Sequence, residues 1–137
     1  MTNLLATLAK SDPTMEADGV SVVYSPDGET KFQCTLARAG GSNNAYHKAL
    51  EEATRPFRGS GVDLARVDFT KQRALMAGVY AKTIIRGWDE KVFGVPFTSE
   101  NAEAMFLEVP DFLDFCVQEA NKAASYRRAN LQAVSGN

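Results

Sequence analysis

Apolar residues recur at three- and four-residue intervals over most of this chain and alternate with polar ones in a single stretch near its start. In that stretch Phe32, Cys34 and Leu36 face one way and Lys31, Gln33 and Thr35 the other, the period of a half-buried strand. Val20 to Tyr24 is rich in β-branched residues, and Ser25-Pro26-Asp27-Gly28 supplies type I turn chemistry between the two runs. A β-hairpin over about 20–38 follows. A lone hairpin is marginal in water, so its apolar face must pack on something else.

Helical spacing takes over after Gly40-Gly41-Ser42-Asn43-Asn44, which breaks the strand and offers N-caps. Ala45, Ala49, Leu50 and Ala53 predict a helix over about 44–55, interrupted by Pro56. Gly59-Ser60-Gly61 reads as an internal hinge. Leu75, Met76, Val79, Tyr80, Ile84 and Trp88 predict the longest helix, over about 68–88, opened by Asp68 or Thr70 and ended at Gly87. Val92 to Phe97 reads as a short apolar turn or strand. Thr98 or Ser99 then caps a helix over about 98–109 carrying Ala102, Met105, Phe106 and Val109, with Glu100 at its positive dipole end. Pro110 stops it, and Asp111 opens a last helix over about 111–131, along which Phe112, Phe115, Cys116, Ala120, Ala123 and Tyr126 share a face.

These elements predict one α+β domain over 20–132, predominantly α-helical, with a single N-terminal β-hairpin. Its expected core is Phe32, Leu36, Leu50, Leu75, Met76, Val79, Tyr80, Ile84, Trp88, Met105, Phe106, Phe112, Phe115 and Cys116. Residues 1–19 form an arm, in which Leu4, Leu5 and Leu8 line one side of a helical turn over 2–9. Ser11-Asp12-Pro13 ends that turn, because a residue before proline is pushed out of the α region. The arm is either mobile or docks its leucines on a partner. Residues 133–137 form a frayed tail.

Composition narrows the function classes. With 137 residues and 45% apolar content, a core can form without staples. A net charge of −2 gives no electrostatic footprint for nucleic acid, and Lys122, Arg127 and Arg128 read as a cationic last turn opposing the helix dipole. The two cysteines, Cys34 and Cys116, read as buried free thiols of a reducing compartment. No apolar run approaches the roughly 18 residues of a membrane span, and Met1 to Leu8 is too short and too weakly basic for a signal peptide. A cytoplasmic location is expected.

No catalytic constellation is present in the sequence. His47, the single histidine, has no ligand-spaced partner and belongs to an exposed helix face. A Cys34/His47 nucleophile pair conflicts with the apolar face on which Cys34 falls. Asp111 and Asp114 are better explained by the helix start than as a catalytic pair, and Gly40-Gly41-Ser42 lacks the residues of a phosphate loop. No enzyme activity, cofactor or metal is expected. Aromatics are the telling surplus: eight Phe, four Tyr and one Trp, with Phe93, Phe97, Phe106, Phe112 and Phe115 in the last third. What a small domain cannot bury becomes an adhesive patch. Trp88, Phe93, Phe97, Tyr126 and Arg127 are the candidate interaction residues, with the surface centred on the turn that carries Phe93 and Phe97. The competing expectation is that both rings tuck back on the flanking helices.

From Asn43 onward the chain also resembles the tail assembly chaperones of long-tailed bacteriophages. The resemblance rests on Ala39-Gly40 and Asn44, Pro56-Phe57-Arg58, Tyr80-Ala81, Gly87-Trp88, Pro96-Phe97-Thr98, Glu100-Asn101-Ala102 and Pro110-Asp111-Phe112, in that order, and then on Ala120, Ala123 and Tyr126-Arg127. It covers about two thirds of the chain. Each motif alone is cap or turn chemistry, and the specificity lies in their order. The turn between Trp88 and Pro96 is shorter than that family's usual loop. The resemblance implies a small helical phage protein, working in the host cytoplasm, that coats the tape measure protein and recruits tail-tube subunits, and that could self-associate. The alternative is a structural component of the virion, capsid-stabilising or head–tail joining.

Overall fold

A computed structural model describes residues 3–59 and 68–127. Seven helices, a three-stranded antiparallel sheet and one 3-10 turn follow one another in these residues. The α+β, mainly helical class is as expected.

The hairpin is β1 (Val20–Tyr24) and β2 (Phe32–Leu36), in the register Tyr24↔Phe32 to Val20↔Leu36. Its turn has the anticipated chemistry. Gly28 N–H donates to the Ser25 carbonyl, and the Asp27 carboxylate accepts from Glu29 N–H, Thr30 N–H and the Thr30 hydroxyl. On the inward face of β2, Cys34 and Leu36 are buried.

A third strand corrects the sequence reading. Helix α4 (Phe69–Thr83), capped by Asp68, stops five residues short of Trp88, and Ile85–Trp88 form β3 beside β2. Trp88 thus belongs to a strand. The β-branched run Thr83-Ile84-Ile85, with Gly87 after it, is poor helix material. The free edge of β2 offers it ladder partners instead: Leu36↔Ile85, Thr35↔Gly87 and Cys34↔Trp88, with a bulge at the first step. Asn43 secures the junction, donating from Nδ2 to the Arg38 and Thr83 carbonyls.

Helix α3 (Asn44–Gly59) runs through Pro56 rather than ending at Arg55. Ser60 and Gly61 of the expected hinge lie outside the described residues. The apolar turn after β3 contains a short helix, α5 (Glu90–Phe93), closed by Gly94 in the left-handed region. Helix α6 (Ser99–Glu108) is capped by Thr98, and α7 (Pro110–Ala120) starts on Pro110 as its first residue. α7 ends eleven residues earlier than expected for the last helix. Asn121 closes it, and a 3-10 turn over Ala123–Tyr126 brings the chain back across the sheet. Arg128 and the tail 133–137 lie outside the described residues.

Helix α4 is central, with α3 and α6 packed on it and α7 against α6 and the sheet. The core joins Cys34 and Leu36 to Val79, Tyr80, Ile84, Ile85, Phe106, Phe112, Leu113 and Cys116. Leu50, Leu75, Met76, Trp88, Met105 and Phe115, all expected inside, are partly buried and pack against it. Phe32, also expected inside, is half-buried and meets Tyr24 and Phe93 instead. Both cysteines are buried and free.

The expected arm over 1–19 divides in two. The first part is the short helix α1 (Leu4–Ala9), capped by Asn3. The second is α2 (Pro13–Asp18), capped by Asp12 and packed on the domain. Asp12 N–H donates to the Tyr126 carbonyl, Arg38 N–H to the Glu16 carbonyl, and the buried Glu16 carboxylate pairs with the Arg38 guanidinium.

Buried hydroxyls and thiols make the fold sensitive to alkali. Burial pushes the Tyr80 and Tyr126 phenols above the usual range, and the neighbouring Cys34 and then burial push the Cys116 thiol up. For each, the unfolded chain releases its proton at lower pH than the folded one. The stabilisation is therefore complete below the unfolded values of about 8.5 for Cys and 10 for Tyr, and is lost as pH rises beyond them. The melting temperature is expected to be insensitive to these groups up to about pH 8 and to fall steadily above about pH 9. Circular dichroism melts across that range check it. A melting temperature still rising at pH 10 would contradict the burial of these groups.

Candidate functional site: an aromatic groove

The turn end of the hairpin does not bury its own aromatics. Tyr24 and Phe32 face each other across the strands, Pro26 lies in the turn, and α5, α6 and α7 approach from the far side. Between them is an open groove of about 430 Å³, lined by Tyr24, Pro26, Phe32, Phe93, Met105, Val109, Asp111 and Phe112. The lining is almost wholly apolar, and Asp111, in the exposed first turn of α7, is its one carboxylate.

Ring-on-ring packing fixes the groove's shape. Phe93 stacks on Trp88 at 4.4 Å with planes 7° apart and meets Phe32 edge-on at 5.2 Å. Phe112 lies 5.6 Å from Phe93, 5.2 Å from Tyr24 and 5.3 Å from Phe106 in the core. Tyr24 closes the circuit against Phe115 at 4.9 Å. Phe97 stands edge-on to Trp88 at 5.2 Å, and the indole Nε1–H donates to the Val95 carbonyl, so the loop after α5 is fastened to β3. Offset and edge-to-face pairs contribute about 0.5–1.5 kcal/mol each beyond area burial, which makes this wall a preformed surface. Burial first, and then the Asp111 carboxylate, push the Tyr24 phenol up, so it stays neutral at physiological pH.

Three of the five candidate interaction residues come together here. Phe93 lines the groove, Trp88 supports it from behind, and Phe97 braces Trp88. All three are half-buried: the Phe93 and Phe97 rings tuck back on Trp88 of β3 rather than on the flanking helices, and Phe93 still presents a face to the groove. The other two lie elsewhere. Tyr126 is completely buried, its hydroxyl shared between the Leu36 and Ala37 carbonyls at the opposite end of β2, so it is a core anchor and not a contact residue. Arg127 follows it, with Nε buried and without a hydrogen-bond partner among the described residues. Sequence reading missed the rest of the lining: Tyr24, Pro26, Val109 and Asp111, and also Phe32, Met105 and Phe112, which it placed in the core. Pairing the hairpin about Pro26-Asp27-Gly28 would have placed Tyr24 opposite Phe32 and found one wall.

His47 is exposed on α3, its Nε2 3.2 Å from the Gly41 carbonyl oxygen. Among the described residues no three His, Cys, Asp or Glu side chains are grouped to hold a metal, and no helix is long and apolar enough to cross a membrane.

Residues 41–137 match the family described as YdaY prophage protein. The chain belongs to the YdaY prophage protein family. It is thus phage-derived, the broader part of what the resemblance to tail assembly chaperones implied. The match takes in α3 to α7 and the groove residues from Phe93 onward, whereas the hairpin wall and the two N-terminal helices precede it. No curated protein and no solved structure matches the chain.

Proposed function

We propose that this YdaY-family protein is a non-enzymatic phage assembly factor, a tail assembly chaperone that holds tape measure and tail-tube proteins in the host cytoplasm through the aromatic groove. The observation that carries the reading is the groove itself: a rigid, concave, apolar surface of interlocked rings, open to solvent, with one carboxylate at its rim. Such a lining suits capture of an apolar segment of another protein better than proton transfer. The order of motifs from Asn43 onward supports the choice of tail proteins among phage partners.

Met105→Arg tests it. Met105 is half-buried on the groove wall, and an arginine there fills the groove while its charged end can reach water. Co-expressed with tape measure or tail-tube protein from its own prophage, the native chain is expected to co-purify with one of them. The variant should lose that capture at least about tenfold while keeping its melting temperature within a few degrees. Capture unaffected by the variant would reject the groove.

An arm with exposed leucines favours a second reading, a subunit that clamps a neighbour and stays in the particle as a capsid-stabilising or head–tail joining component. Mass spectrometry of purified particles separates the two. A chaperone should be absent, and a structural subunit present in stoichiometric amounts.

A further inference from the structure

The two edges of the sheet are unlike. β3 is guarded: it carries the exposed Arg86 and Gly87, and its ladder with β2 is broken by a bulge. Charge and bulges are common means of keeping a sheet edge from accepting a foreign strand. β1 has neither. Its five residues, Val-Ser-Val-Val-Tyr, include no charge, glycine or proline, and they pair with β2 in unbroken register. No residue of β1 is buried, and Val23 is 47% exposed. Backbone groups alternate in direction along a strand, so half of those in β1 turn away from β2. Among the described residues, none of Val20–Tyr24 makes a backbone hydrogen bond outside that ladder.

This open edge runs into the groove. Tyr24 is the last residue of β1 and also lines the groove, and the Asp111 carboxylate bears on its phenol, so the acidic rim stands at the same corner. Asp111 forms no ion pair among the described residues.

We propose that the partner is captured as an added β-strand: an extended segment of the tail protein pairs with the free edge of β1, sends an apolar side chain into the groove beyond Tyr24, and sets a lysine or arginine against Asp111. The inference rests on the reading of the groove as a site for tail proteins and adds the form in which they are held. Main-chain bonding along an edge supplies affinity whatever the sequence, and pockets for alternate side chains supply the choice. A helix laid in the groove would leave the edge groups to water. Charge selects against a second copy of this chain. β1 holds no cation, and it is flanked by Asp18-Gly19 on one side and Ser25-Pro26 on the other. Laid antiparallel on the edge, with its Val20 opposite Tyr24, a copy would bring Asp18 toward Asp111, and like charges repel.

Hydrogen exchange read residue by residue is the test, on the native chain alone and bound to whichever of the tape measure and tail-tube proteins co-purifies with it. In the free chain, alternate amides from Ser21 to Tyr24 should exchange slowly, bonded to β2, and those between them fast. In the complex the fast ones should slow at least about tenfold. Asp111→Asn should weaken capture about threefold, the worth of one exposed ion pair, with the melting temperature within a few degrees of the native one. Edge amides already slow in the free chain would show that something else covers β1 and overturn the proposal. Edge amides as fast in the complex as outside it would show capture by side chains alone, which overturns strand addition and leaves the functional reading standing. Capture unmoved by Asp111→Asn removes the charge match and overturns it as well. A native chain that captures neither tail protein overturns the functional reading, and strand addition with it.

Discussion

Replacing Phe112 with alanine is expected to lower the stability by about 3–5 kcal/mol. Phe112 is 2% exposed and is the one ring that touches both halves of the aromatic system: Phe106 in the core, and Tyr24 and Phe93 in the groove. Removing it opens a cavity with three ring faces on it. Those faces are held by strands and helix ends that cannot all collapse inward. Domains of this size have only about 5–15 kcal/mol in total, so the melting temperature should fall by roughly 10–20 °C. Because Phe93 loses a neighbour, the emission of Trp88 should move too, even well below the melting transition. Phe115→Ala is the control. That ring is half-buried and touches Tyr24 alone among the aromatics, so its loss should cost clearly less. Equal losses for the two variants would mean that the groove wall, and not the link from groove to core, holds these elements together.

The difference between Phe112 and Phe115 shows what was legible in the sequence and what was not. Both were placed on one apolar helix face, correctly, because local spacing carries that information. Which of them would become a groove residue depends on the hairpin that packs opposite, and no local pattern encodes it. The same limit explains β3. Thr83 to Trp88 continues the helical spacing of Leu75, Val79 and Tyr80, and only the free edge of β2, some fifty residues earlier, pulls it into a strand. The starts of α4 and α6 were read well, since Asp68 and Thr98 are caps whose chemistry is local, whereas Asp12, which caps α2, was read only as the end of the preceding turn. Helix ends were read poorly. Pro56 stayed inside a helix, and Ala123 to Tyr126 left one because the Tyr126 hydroxyl reaches the Leu36 and Ala37 carbonyls across the molecule. Of the groove, the aromatic surplus and the Trp88–Phe93–Phe97 cluster were visible in the sequence. Its acidic rim and its hairpin wall came only with the fold.

Arg38→Met is expected to destabilise the protein by roughly 3 kcal/mol, and the double variant Glu16→Leu, Arg38→Met by markedly less. Glu16 is 3% exposed, and its carboxylate pairs with the Arg38 guanidinium. Removing the arginine alone leaves a buried charge without its counter-ion. Replacing both leaves an apolar contact of similar volume, which removes the desolvation cost along with the attraction. The estimate sits at the low end for buried pairs because the Arg38 side chain is 24% exposed and keeps some water. Gly41 makes the same pair vulnerable from another side. It sits at φ +54°, where an L side chain is strained, and a methyl group there would overlap the Glu16 carboxylate. Gly41→Ala should therefore reproduce much of the loss seen for Arg38→Met, and the two together should cost less than their sum, since both act on one contact. Urea unfolding at constant m-value reads all four variants. Arg38 also donates to the Ser11 hydroxyl, so its loss removes one of the contacts at the root of the leucine arm and leaves Asp12 N–H on the Tyr126 carbonyl. Equal stability of the single Arg38→Met and the double variant would show that the ion pair, and not the uncompensated charge, sets the energy at this junction.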